Sequence, residues 1–120
     1  MRLLICGDRN WTDRNPIERY LSRYTPETTV VIHGGAKGAD SIAGEVAEEL
    51  GMTVEVYPAE WGKYHRAAGP IRNRQMLDSQ VDAVVWFHND IDSSKGTRNM
   101  IAQATKAGIN VLSGTMEENR

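Results

Sequence analysis

The chain has 120 residues, a net charge of −2, 25% charged residues and one cysteine, Cys6. That length is enough for one compact domain burying roughly two-thirds of its unfolded surface, and a single cysteine excludes an internal disulfide and points to a reducing, cytoplasmic setting. The acidic balance excludes a general nucleic-acid binder, no apolar run approaches the roughly 20 residues of a membrane span, and the opening MRLLICGD is too short an apolar block for a signal peptide.

Strand and helix patterns alternate along the chain. Arg2 to Cys6 is an apolar run ending at Gly7 and predicts a buried strand. Asn15-Pro16 offers a cap followed by proline at the first helical position, with Ile17, Tyr20, Leu21 and Tyr24 at helical spacing. Thr29 to His33 is the second strand. Ile42, Ala43, Val46, Ala47 and Leu50 mark one face of the next helix, which Gly51 stops. Thr53 to Tyr57 is the third strand, Pro58 to Gly69 reads as a loop, and Pro70 starts a short helix running to about Ser79. Ala83 to Phe87 is the fourth strand. After a polar turn, Gly96 opens a helix with Met100, Ile101, Ala104 and Ala107 inward, and Asn110 to Leu112 is the last strand. The expectation is an α/β fold: a Rossmann-like parallel sheet of about five strands with helices on both faces, occupying residues 1–114 as one domain, with 115–120 a frayed tail.

In such a sheet, ligands bind outside the carboxyl ends of the strands, near the point where strand order reverses. Here those ends carry GDRNW (Gly7 to Trp11), HGGAKGAD (His33 to Asp40), the segment from Pro58 to Asn73, and HNDIDSSKGT (His88 to Thr97). Glycine lets another group approach the backbone closely, and a helix beginning near Ala39 offers unpaired amides and partial positive charge to an anion. Gly34, Gly35, Ala36, Lys37, Gly38, Ala39 and Asp40 therefore form either a phosphate loop or a tight strand-to-helix turn. The loop matches neither the Walker pattern nor the dinucleotide fingerprint. A second glycine and hydroxyl pair at a helix start, in SSKGT, adds Lys95, Gly96 and Thr97 to the candidates. The stretch from Trp61 to Leu77 has no Asp or Glu but carries Lys63, His65, Arg66, Arg72 and Arg74, a pattern expected of a local anion site or a solvated basic loop.

Five pieces, LLICGDRNWTD, VIHGGAKGADSIA, YPAEW, AAGPIRNRQML and KGT, span nearly the whole chain. Together they resemble the SLOG superfamily, and most of all its small YspA/YpsA-related branch. That superfamily includes the "lonely guy" phosphoribohydrolases and the DNA-processing protein DprA. The resemblance implies a Rossmann-like sheet binding nucleotides or nucleotide-derived ligands at its edge. Phosphoribohydrolases of the superfamily use an arginine and a glutamate to cleave the base–ribose bond of a nucleoside monophosphate. Arg72 stands at the arginine position and Met76 at an accompanying methionine, but Met100 stands where the glutamate belongs. A thioether can neither stabilise the developing ribosyl cation nor activate water. Asp8 and Asp40, on loops next to the expected cleft, are the candidate replacement acids, or else a turn former and a helix cap.

The remaining candidates each have two readings. Arg72 is placed for a bidentate grip on phosphate or a surface ion pair. Asn73 hydrogen-bonds a ligand or caps a helix. Gly7 and Arg9 sit at the first edge loop, where Trp11 stacks on a base or covers the core rim. Trp61 reads as packing. His33 is a wall of the pocket or a structural residue. No Cys or His spacing suggests a metal, and no cofactor is expected. The expected function is a nucleotide-binding module that senses or sequesters a nucleoside monophosphate or an ADP-ribose-like compound. The alternatives are a hydrolase of N-glycosidic bonds and a DprA-like role on DNA. Association into a homo-oligomer is also expected.

Overall fold

The computed structural model describes residues 1–115, and the expected frayed tail lies outside the described residues except for Thr115. Five parallel strands, β1 (Arg2–Gly7), β2 (Val30–His33), β3 (Thr53–Val56), β4 (Ala83–Phe87) and β5 (Asn110–Ser113), form one sheet in the order β3-β2-β1-β4-β5. The chain builds outward from β1 through β2 to β3, then crosses to the other side of β1 for β4 and β5. The reversal therefore falls between β1 and β4, and the expected α/β architecture is the observed one.

Alternation along β1 divides the core. Leu3 and Ile5 point to one face, where α1 (Arg14–Leu21) contributes Ile17, Tyr20 and Leu21 and α2 (Ala39–Leu50) contributes Ala43, Val46 and Ala47. Leu4 and Cys6 point to the other face, against Met76 and Leu77 of α4 (Ala68–Asp78) and Met100 and Ala104 of α5 (Lys95–Lys106). Burial at both faces explains why β1 reads as a continuous apolar run. No helix among the described residues is long and apolar enough to cross a membrane.

Several element boundaries differ from the expectation, each for a local reason. Asp13, not Asn15, caps α1: its carboxylate accepts from the Asn15 amide at 3.0 Å. Pro16 then falls at the third helical position, where a missing N–H still costs nothing. The presumed loop from Pro58 to Gly69 contains the short helix α3 (Trp61–Tyr64) and a 3₁₀ turn at His65–Ala67, and α4 starts two residues before Pro70. Helical signal is weak there because the segment lacks an apolar stripe; Ala68 and Gly69 are held by burial instead. Ser94 caps α5 by accepting from the Thr97 amide at 3.0 Å. Ala107 lies past the end of that helix and is exposed.

Candidate functional site

A cleft of about 850 Å³ opens at the carboxyl ends of β1 and β4, where the strand order reverses. Four segments form its walls: the loop after β1, the loop after β4 leading into the start of α5, the stretch from α3 into α4, and, at Ala36 and Asp40, the β2–α2 loop. Gly7, Asp8 and Arg9 line it from the first, and Ser94, Lys95, Gly96 and Thr97 from the second. Arg66, Arg72 and Asn73 line it from the third, and Met76 of α4 and Met100 of α5 lie buried behind the walls. The start of α5 thus faces the cleft with its partial positive charge, and a Cβ on Gly96 would meet nothing within 4 Å. Four cations, Arg9, Arg66, Arg72 and Lys95, share the walls with the carboxylates of Asp8, Asp40 and Asp90.

Arg72 is fixed rather than free. Its Nη1 donates to the Gly34 carbonyl at 2.7 Å and its Nε to the Asn73 side chain at 3.1 Å. Asn73, buried, donates in turn to the Gly96 carbonyl at 3.3 Å and to the Asn99 side chain at 3.1 Å. The chain of bonds ties the β2–α2 loop, α4 and α5 together and presents the guanidinium to the cleft. Burial pushes the Arg72 pKa down and the charge of Asp40 opposes that; an arginine stays protonated regardless.

The glycine loop after β2 is arranged differently from the expected phosphate seat. Asp40 is 6% exposed, and its Oδ2 accepts from the amides of Gly34 at 2.9 Å and Ala36 at 3.4 Å. The Gly35 amide donates to His33 Nδ1 at 3.0 Å and the Ala39 amide to the Asp8 carbonyl at 3.0 Å. Four of the loop amides, those of Gly34, Gly35, Ala36 and Ala39, are therefore engaged by the protein itself. The glycines serve close approach of its own chain. A Cβ on Gly34 would strike the Arg72 guanidinium, and one on Gly38 would strike the backbone of Asp8 and Arg9. Gly38 also has φ +78° and ψ −127°, a region essentially reserved for glycine.

Of the loop, Ala36 and Asp40 reach the cleft, while His33, Gly34, Gly35, Lys37, Gly38 and Ala39 are not among its lining residues. Lys37 is exposed outside it. His33 packs against Gly44, where a Cβ would lie 2.6 Å from its Nε2, and burial lowers its pKa. Trp11 does not stack in the cleft either: it is 8% exposed, meets Phe87 edge-on at 6.0 Å, and donates from Nε1 to the Asp13 carbonyl at 2.6 Å. An aromatic beside a strand end is drawn into the core when a core ring lies next to it, and sequence alone does not show that ring.

Asp40 carries the largest electrostatic perturbation among the carboxylates. Burial raises its pKa to about 6, against the opposing effects of the Gly34 amide, Arg72 and the Ala36 amide. Asp8 lines the cleft and accepts from the Asn10 amide at 2.9 Å. Met100, at the position of the superfamily glutamate, is fully buried at the cleft wall.

Sequence reasoning passed over Asn99, which shares the cleft wall, and placed Trp61 in packing although it is 55% exposed at the cleft. Arg66, named only as part of the acid-free basic segment, lines the cleft. Others in that segment face elsewhere: Arg74 pairs with Asp78 at 3.3 Å, and Lys63 lies over the Tyr64 ring at 5.0 Å.

Fold and site define a Rossmann-like α/β protein with a charged cleft at its topological switch point, lined by both cations and carboxylates. Residues 1–64 match the sequence model of the YspA, cpYpsA-related SLOG family. The chain is also similar to the "Gene 61 protein" of Mycobacterium phage D29, with 37% identity over 119 residues that cover 92% of this chain and 94% of the relative. The chain belongs to the YspA, cpYpsA-related SLOG family.

Proposed function

We propose that this protein binds a nucleotide or nucleotide-derived compound, a nucleoside monophosphate or an ADP-ribose-like molecule, as a sensing or sequestering module. One observation carries the reading: the start of α5 and the fixed guanidinium of Arg72 line the same cleft at the strand-order reversal. A phosphate there would take the amides of Lys95 and Gly96, since that of Thr97 already donates to Ser94, and a charge-assisted bond from Arg72, with Lys95 and Arg66 adding field. In this proposal the phosphate lies on α5 rather than on the Gly34–Asp40 loop, whose role is to hold Arg72 in place. Cleft volumes of a few hundred to about a thousand Å³ suit ligands larger than phosphate itself.

Binding without efficient glycosidic cleavage is favoured by Met100 at the glutamate position and by the engagement of Asp40 with loop amides. The test is thermal denaturation of the purified chain with nucleoside monophosphates, ADP-ribose and ribose 5-phosphate, with chromatography of the same mixtures for free base. A specific ligand at 100 times its Kd adds about 2.7 kcal/mol of stability, a shift of about 10 °C for a domain of this size. Stabilisation without free base supports the proposal, and Arg72→Met should remove it. The absence of stabilisation by any phosphate-bearing compound refutes it. Base release that Asp8→Asn abolishes would favour the hydrolase instead.

A further inference from the structure

Trp61 is the largest exposed apolar side chain in the described structure, and a tryptophan left in water without a purpose gives up substantial burial. Its position is built. It opens α3, and its six-membered ring rests on Gly69, where even a Cβ would come within 3.3 Å of Cη2. The small residue under the ring sets it over the start of α4, where it lines the cleft beside Arg66 and Pro70. Trp11 is the contrast: its ring is covered by Phe87 and its N–H is bonded to Asp13.

We propose that Trp61 is the platform on which the aromatic base of the ligand stacks, so that the cleft selects an intact nucleotide over a bare sugar phosphate. This rests on the anion-binding reading above and adds to it the group at the other end of the ligand. The walls combine a flat exposed indole and the exposed ring of Pro70 with the cations Arg66 and Arg72. That pairing fits a ligand with one flat apolar end and one anionic end. The volume of about 850 Å³ exceeds what ribose 5-phosphate would fill. Stacking tolerates any base, since every base has a π-face; the platform selects for the presence of a base more than for its identity.

The test measures calorimetric affinity for AMP, GMP, CMP, UMP, ADP-ribose and ribose 5-phosphate in wild type, Trp61→Ala and Trp61→Phe. Losing a stacked base weakens binding by roughly 5- to 150-fold. Trp61→Ala should weaken the base-bearing ligands at least about fivefold while leaving ribose 5-phosphate within about twofold, and Trp61→Phe should keep most of the affinity. A second readout needs no alanine variant. A stacked base quenches indole emission, so the tightest-binding nucleotide should quench the wild type but not Trp61→Phe, although both bind it. Equal losses for nucleotide and ribose 5-phosphate, or no loss for either, overturn the platform and leave the anion site standing. Binding of none of the six compounds by wild type overturns both. Quenching that persists in Trp61→Phe places the base elsewhere and overturns the platform as well.

Discussion

Replacing Asp40 by asparagine tests the central electrostatic feature of the β2–α2 loop. The carboxyl is buried, and its pKa stands near 6 in the folded protein against an ordinary 3.8. The folded state therefore holds this proton more tightly than the unfolded chain. Between about pH 4 and pH 6 the unfolded state binds fewer protons than the folded one, so this group lowers stability as pH rises. A shift of about two units corresponds to about 3 kcal/mol, fully lost above pH 6 and regained below pH 4. Asparagine keeps an oxygen for the Gly34 and Ala36 amides but never ionises. The stability of Asp40→Asn relative to wild type should therefore rise by about 3 kcal/mol between pH 3.5 and pH 7.5. Urea unfolding of both proteins across that range measures it, and taking the difference cancels the other titrating groups. A difference that stays constant within about 0.5 kcal/mol would refute the reasoning. Asp40→Ala is the control: it removes the charge but leaves the loop amides without their acceptor, at a cost of about 1–3 kcal/mol that does not depend on pH.

Other substitutions separate the loop's architecture from its chemistry. Gly38→Ala combines a disallowed conformation with a clash against the Asp8 and Arg9 backbone, and should cost roughly 3–5 kcal/mol in denaturant unfolding; a cost under 1 kcal/mol would contradict the close approach. Gly34→Ala forces the Arg72 guanidinium off the Gly34 carbonyl, so it should cost about 1–3 kcal/mol of stability and weaken phosphate-bearing ligands about tenfold by calorimetry, the latter as Arg72→Lys should. Unchanged affinity in both would detach Arg72 from the ligand. Ser94→Ala removes the cap that accepts from the Thr97 amide and should cost about 1 kcal/mol, read as a lower midpoint in urea.

The strand-and-helix alternation, and with it the fold, was legible in the sequence because its signals are local. Runs such as Arg2 to Cys6 and the spacing of Ile42, Ala43, Val46 and Ala47 report burial through periodicity alone. The acid-free stretch from Trp61 to Leu77 likewise marked one wall of the cleft, because charge composition survives any folding. What the glycines accomplish was not legible. A glycine states that space beside the backbone is wanted; only tertiary packing decides who fills it. At Gly34 the occupant is the protein's own Arg72, at Gly38 the backbone after β1, and at Gly69 the ring of Trp61. Trp11 and Trp61 make the same point in side chains: one lies against Phe87 and the other opens onto the cleft. Two residues with equal hydrophobic drive differ in burial because only one of them has a neighbouring core surface to meet, and that surface is brought together by chain segments far apart in sequence.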